Sequence, residues 1–329
     1  MRAVGLYRYL PIEHPESLLD LEVETPRPAG RDLLVEVKAV SVNPVDTKRR
    51  APKDAVELAP KILGFDAAGV VKAVGEEATL FKPGDAVYYA GSVIRQGSNA
   101  EFQLVDERIV GRKPASLSFP EAAALPLTTL TAWELMFERM GISRAGGHAG
   151  ARLLILGGAG GVGSIAIQLA KKLARLHVTA TASRPESIAW CKELGADAVI
   201  DHTKVEEEFD FVLCFTATDP YWNLFPRITK PQGKIGLIVR TLKPIDLQIL
   251  HDKSITVCLE GMFTRSTFQT ADMEAQHRLL DEAAGLVEAG VLRTTMKDNL
   301  GRICAAHLKG AHRRLEGGHV IGKIVLEGF

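Results

Sequence analysis

The run Leu153-Leu154-Ile155-Leu156 leads into Gly157-Gly158-Ala159-Gly160-Gly161-Val162-Gly163 and then into SIAIQLAKKLARL. A compact apolar run, a glycine-rich turn and a stretch of helical spacing form the context in which a protein backbone grips a dinucleotide. Gly158, Gly160 and Gly163 satisfy G-x-G-x-x-G. The three glycines permit a tight turn, close approach of the backbone to a pyrophosphate, and close packing of helix on strand. The helix start offers N–H groups without intrahelical partners to the phosphates. The spacing alone arises in many glycine-rich turns; the flanking strand and helix decide for the dinucleotide. Gly158, Ala159, Gly160, Gly161, Val162 and Gly163 are the expected cofactor-binding residues.

About twenty residues further on, a site for NAD usually places an Asp or Glu on the ribose 2′-hydroxyl. This chain reads Thr181-Ala182-Ser183-Arg184, with no carboxylate. A hydroxyl and a guanidinium suit a 2′-phosphate, because Arg supplies paired charged donors to phosphate oxygens. Ser183 and Arg184 therefore favour NADPH over NADH. The alternative is a solvated Arg184 in an ordinary strand-to-helix loop, with Ser183 as the helix cap. Thr216 and Ile238-Val239 fall at the carboxyl ends of two further apolar runs, FVLCF and GKIGLIV, where open α/β sheets place ligands.

These residues need a scaffold, and the chain changes period to supply it. Up to about Pro120 it reads as short strands and turns: LLVEVKAVSV, GFDAAGVVKAVG and FKPGDAVYY. Beyond that point compact apolar strands (ARLLILG, HVTATA, DAVID, FDFVLCF, GKIGLIV) alternate with helical stretches, which implies a parallel sheet with crossover helices. Residues 266–292 read as one amphipathic helix ending at Gly290, with Leu279, Leu280, Ala283, Ala284, Leu286 and Val287 on its apolar stripe. The closing strand HVIGKIVLEG needs a sheet to join, and the β-rich first part offers one. The expected class is α/β: a Rossmann, doubly wound parallel sheet over 123–265, inserted in a mainly β domain made of 1–122 and 266–329.

The bulk composition excludes several roles. The chain has 329 residues, 46% hydrophobic and 24% charged, which fits two soluble globular domains. Basic and acidic residues balance at 40 each, so no field gathers nucleic acid or anionic lipid. The N-terminus lacks the apolar core of a signal peptide and no run reaches membrane-spanning length, which places the protein in the cytoplasm. Cys191, Cys214, Cys258 and Cys304 are scattered without a CxxC, and reduced thiols are expected. Cys214, inside FDFVLCF, reads as a small buried hydrophobe.

VSVNPVDTK, GFDAAGVVKAVG, FKPGDAVYY, AAALPLTTLTAWE, GGAGGVGSIAIQLAK, KELGADAVID and GHVIGKIVL occur in that order. On these motifs nearly the whole chain resembles the medium-chain dehydrogenase/reductase superfamily, in particular quinone oxidoreductases and proteins called zinc-type alcohol dehydrogenase-like. The resemblance implies a GroES-like domain from both chain ends, NAD(P)(H) as cofactor, hydride transfer in the cleft between domains, and a homodimer or larger homo-oligomer. It also implies roles. Asn43 would contact the nicotinamide ribose or a substrate oxygen, Thr131 and the pair Met262-Phe263 would meet the nicotinamide end, and Lys323 would reach a cofactor phosphate. Two of these residues have plainer readings: Asn43 opens a turn before Pro44, and Lys323 is a solvated edge lysine. Asp46 reads as a structural hydrogen-bonder rather than a base. Phe65 and Tyr88, with Tyr89, could wall a flat acceptor, although core packing suits at least two of the three.

One departure bears on mechanism. Zinc-dependent members of the superfamily carry Cys where this chain has Asn43, His-Glu where it has Phe65-Asp66, and a further ligand near Leu127. A retained Asp cannot by itself assemble a tetrahedral zinc site. Alcohol oxidation needs help with the hydroxyl proton, which zinc supplies. A quinone or activated double bond is already electrophilic, and hydrogen-bond donors can stabilise its developing oxyanion. The expected function is thus a zinc-independent, NADPH-dependent reductase of a small-molecule electron acceptor, a quinone or α,β-unsaturated carbonyl. The alternatives are a zinc-type alcohol dehydrogenase and a non-catalytic NADPH-binding sensor or structural protein.

Overall fold

The computed structural model describes all 329 residues. They form two compact units, one of Met1–Leu127 with Phe263–Phe329 and one of Thr128–Met262. Along the chain come β1 (Arg2–Tyr9), β2 (Leu19–Glu22), β3 (Asp32–Val42), α1 (Pro44–Arg50), β4 (Lys53–Ile62), β5 (Ala67–Val74), β6 (Ala86–Tyr89), β7 (Phe102–Asp106), β8 (Val110–Arg112) and α2 (Phe119–Ala123). Helix α3 (Pro126–Trp133) opens the middle section, followed by β9 (Arg152–Leu156), α4 (Gly161–Lys172), β10 (His177–Thr181), α5 (Pro185–Glu193), β11 (Ala198–Ile200), β12 (Phe209–Cys214), α6 (Phe225–Ile228), β13 (Thr229–Leu237) and β14 (Thr256–Leu259). The return segment holds α7 (Thr264–Phe268), α8 (Ala275–Glu288), β15 (Met296–Asn299), α9 (Ala305–Glu316) and β16 (Lys323–Glu327).

In the first unit a sheet of order β15-β16-β3-β5-β6-β8, with β7 also on β3, is accompanied by a three-stranded sheet β2-β1-β4. Alternate residues of β3 are buried, as a strand with one face on a core requires. Strand β16 pairs antiparallel with β3, Ile324 opposite Val42 and Glu327 opposite Ala39. The last strand therefore completes the sheet that the first forty residues begin. Pro44 is the first residue of α1, where its fixed φ and missing N–H are no cost, so the Asn43-Pro44 turn starts a helix.

The second unit is a six-stranded sheet, β11-β10-β9-β12-β13-β14, parallel throughout. Leu153 to Leu156 in β9 are wholly buried, as expected for a central strand covered on both faces. The strand order reverses direction between β9 and β12. At such a switch point the loops leaving adjacent strands diverge and open a crevice at their carboxyl ends.

Two elements differ from the periodicity. Residues 266–292 do not form one helix: α7 ends at Gln269, whose left-handed φ of 47° breaks the hydrogen-bond ladder, and α8 starts six residues later. The turn between them is held by Arg265 and Thr270 on Asp272. Residues Glu134–Arg139 continue α3 as a π-helical turn, which no side-chain pattern announced. No helix is long and apolar enough to cross a membrane.

Candidate functional site

The glycine turn sits at the carboxyl end of β9, and its geometry explains each glycine separately. The Gly157 N–H donates to Thr181 Oγ1 at 3.0 Å and the Gly158 N–H to the Thr181 carbonyl at 3.2 Å, tying the turn to the end of β10. A Cβ on Gly158 would lie 2.7 Å from Ala180 Cβ, and one on Gly163 would lie 2.4 Å from the Gly157 oxygen. Both positions are closed by the fold itself. A Cβ on Gly160 would meet nothing nearer than the Gly157 oxygen at 3.6 Å, so the fold leaves that space open. Helix α4 begins directly after Gly160 and presents its first N–H groups there. Ser164 in its first turn donates to the Gly160 carbonyl at 2.7 Å and accepts from Trp190 Nε1 of α5 at 2.8 Å, which fixes the helix start. Ala159, Gly161 and Val162 complete the turn, half-buried.

Beside it, β10 ends at Thr181 and the chain passes through Ala182, exposed Ser183 and half-buried Arg184 into α5. The cap assigned to Ser183 belongs to Arg184. Pro185 occupies the first helical position, so the residue before it becomes the cap, and Ser187 Oγ bonds both its N–H and its carbonyl. No carboxylate lies between Thr181 and Arg184; Glu186 is exposed in the first turn of α5. Thr216 and Phe215, leaving β12, border the space over Gly157. Ile238 and Val239, leaving β13, are half-buried, and the Val239 carbonyl accepts from Thr218 Oγ1 at 2.8 Å. Gly158–Gly163, Ser183, Arg184, Thr216 and Ile238 thus share the carboxyl end of one sheet. Thr131 on α3 and Met262 after β14 are both buried in the same unit.

The first unit holds a second constellation. Gly64, at φ +113°, turns the chain where a Cβ would strike Ser98 Oγ at 2.5 Å, and so directs Phe65-Asp66 inward. Asp66 is fully buried. Its Oδ1 accepts the Leu127 N–H at 2.8 Å, and its Oδ2 accepts Asn43 Nδ2 at 2.8 Å and lies 3.2 Å from Lys323 Nζ. Lys323 Nζ also donates to the Val42 carbonyl at 2.9 Å and to Asn43 Oδ1. The Asn43 N–H donates to Asp46 Oδ2 at 2.8 Å. Burial pushes Asp66 up and Lys323 down, each opposed by the other's charge. Burial also raises Asp46 to about 7 against the hydrogen bond from Asn43 and the charge of Lys323.

This network corrects several expectations. Lys323 is neither a phosphate ligand nor a solvated edge residue: it is 3% exposed and its ammonium has three acceptors within the first unit. Asn43 is 1% exposed, and its amide is committed to Lys323, Asp66 and the Phe65 carbonyl, so it is an internal brace rather than a free contact for ligand. Phe65 is 1% exposed and stacks edge-on against Phe263, ring centres 5.5 Å apart. Tyr88, also 1% exposed, donates its hydroxyl to the Leu280 carbonyl of α8 at 2.6 Å; it is core, not a pocket wall. The clue to Lys323 and Asp66 lay in their settings: a lysine opening the apolar run KIVL and a carboxylate inside GFDAAG.

Zinc does not fit these residues. Asn43 offers an amide oxygen already bonded to an ammonium, Phe65 a hydrocarbon ring, and Leu127 an aliphatic chain, where a zinc site needs thiolate, imidazole and carboxylate. No three His, Cys, Asp or Glu side chains are grouped to hold a metal anywhere in the chain.

Comparison with known proteins adds a context for both constellations. The family description "Alcohol dehydrogenase GroES-like domain" matches residues 29–117, and "Zinc-binding dehydrogenase" matches residues 161–281. A zinc-type alcohol dehydrogenase-like protein of Staphylococcus aureus is 42% identical over 336 aligned positions, covering 99% of each chain. The 2-methylene-furan-3-one reductase of Solanum lycopersicum is 40% identical over 318 positions, covering 94% of this chain and 74% of its own. Among solved structures, a candidate zinc-dependent alcohol dehydrogenase from Rhizobium etli superposes with a TM-score of 0.95 at 49% identity, covering 100% of this chain and 98% of its own.

Proposed function

Because the chain belongs to the medium-chain dehydrogenase/reductase superfamily and is an oxidoreductase of that type, we propose that it is a zinc-independent NADPH-dependent reductase of quinones or α,β-unsaturated carbonyls. The observation that carries the reading is the carboxyl end of the parallel sheet. There, an open space over Gly160 faces the start of α4, and Arg184, rather than a carboxylate, follows β10. The amides of the Gly158–Gly163 turn hold the pyrophosphate, and Ser183 and Arg184 take the 2′-phosphate. Thr216 and Ile238 line the path of the cofactor through their backbones, and Thr131 and Met262 meet its nicotinamide end. The bound cofactor supplies the hydride.

The acceptor class follows from the side chains at Asn43, Phe65 and Leu127, which are poor ligands for a Lewis-acidic metal. A substrate that is electrophilic before it arrives suits such a site, and neutral hydrogen-bond donors are enough to stabilise the oxyanion that forms. Solvent delivers the proton. The tomato relative, named for an exocyclic enone, supports this class.

The test is NADPH oxidation by chelator-treated protein across a panel of quinones and enones, with NADH in parallel. Turnover that prefers NADPH and survives metal removal is expected. Activity restored only by added zinc, or silence with every acceptor despite tight NADPH binding, would overturn the reading, the latter in favour of a binding protein.

A further inference from the structure

The superfamily positions associated with zinc are filled here by a network with a charge of its own. Val42 and Asn43 at the end of β3, Asp66 ahead of β5 and Leu127 on α3 converge around the first residue of β16. Three acceptors of different kinds, a peptide carbonyl, an amide oxygen and a carboxylate, meet the three N–H bonds of one ammonium. Both charged side chains are almost completely buried, at 0% for Asp66 and 3% for Lys323. An isolated carboxylate could not remain ionised at such depth without an opposite charge beside it.

We propose that the Lys323 ammonium is the resident cation of this chain's metal position, braced by Asn43, Asp66 and the Val42 carbonyl, and that its presence closes the position to divalent metals. The inference rests on the zinc-free reading above but not on the identity of the acceptor. It makes two demands on the molecule. The positive charge, not the length of the side chain, must be what Asp66 requires, and a metal offered to the native protein must find neither room nor free ligands. The ammonium also holds Asn43 by its Oδ1, leaving Nδ2 to Asp66 and the Phe65 carbonyl, so the orientation of the amide follows from the cation.

Two measurements on the full-length chain test this without using turnover. In the first, native protein is equilibrated with Co²⁺ and dialysed. No stoichiometric cobalt and no visible ligand-field band are expected; one tightly bound equivalent per chain would overturn the proposal. The second is a cycle of Lys323→Met, Asp66→Asn and the double variant, read as thermal midpoints. Lys323→Met keeps the length and removes the charge, and should lower the midpoint by about 10 °C, as expected for stranding a buried carboxylate. Asp66→Asn in that background should recover most of the loss, because the carboxylate in direct contact with the ammonium is then replaced by a neutral amide. Additive losses, or a Lys323→Met chain as stable as native, would reduce the lysine to packing and refute its role as a counter-ion. A chain that reduces none of the acceptors leaves both measurements intact, so the two readings fail separately.

Discussion

The glycine turn can be dissected by two alanines that differ by three positions. A methyl at Gly163 would sit 2.4 Å from the Gly157 oxygen and 2.6 Å from the Gly158 oxygen, both backbone atoms that cannot rotate aside. Relieving that clash costs about 1–3 kcal/mol by analogy with overpacked cores, offset by about 0.5–1 kcal/mol because alanine is the better helix former. The net loss should lower the thermal midpoint by about 4 °C. A methyl at Gly160 would lie 3.6 Å from its nearest neighbour, an ordinary contact, at a φ of −71° that alanine adopts freely. Gly160→Ala should therefore melt within about 2 °C of native, the cost being a poorer helix cap alone. Its effect should appear in binding. A methyl in the open space displaces a phosphate from the helix amides, and losing one charge-assisted hydrogen bond of about 1.5–3 kcal/mol weakens NADPH about ten- to a hundredfold. Calorimetry and fluorescence titration with NADPH read the two quantities independently. If Gly160→Ala binds NADPH within twofold of native, or melts as low as Gly163→Ala, the assignment of that space to the pyrophosphate is wrong.

Other residues give sharper single tests. Arg184→Ala should weaken NADPH on the order of tenfold or more and leave NADH unchanged, since only the 2′-phosphate distinguishes them; equal loss for both cofactors in parallel titrations would remove Arg184 from specificity. Tyr88→Phe should cost about 1 kcal/mol in urea denaturation by removing the hydroxyl's hydrogen bond to the Leu280 carbonyl, with NADPH affinity unchanged. Asp46 predicts a pH dependence. Its folded value of about 7 exceeds the ordinary 3.8, so folding favours the protonated form, and the stabilisation, complete below about pH 4, is lost as pH rises through 7. The ceiling is roughly 4 kcal/mol from a shift of about three units, reduced because Lys323 shares the site. Asp46→Asn should flatten the decline of the urea midpoint between pH 5 and 8; an unchanged slope would locate the dependence elsewhere.

How much of this was legible beforehand follows the range of the forces involved. The glycine turn between β9 and α4 could be read from one continuous stretch of chain, because a central strand, three glycines and a helix start are local demands of backbone geometry. The parallel sheet was legible for the same reason: apolar runs covered on both faces carry few polar residues, and the helices between them keep their own period. The cap of α5 was local too and was misread only because Pro185 shifts the helix start by one residue. Hydrophobic spacing continued across Gln269 although the backbone there did not, since periodicity records which side is buried and is silent about a left-handed residue. The fate of Lys323, Asn43 and Tyr88 was beyond any local signal. Their partners lie 280 residues away for the Lys323–Asn43 bond and 192 for Tyr88 and Leu280, and only the pairing of β16 with β3 and the packing of α8 bring them together. By itself the sequence determined the unit of strand, glycine turn and helix, and the residue types that stand at the superfamily's zinc positions. The tertiary structure alone decided that Lys323 stands against Asp66 and Asn43, because a buried charge is assigned its partner by the fold's long-range contacts and by the cost of leaving it without one.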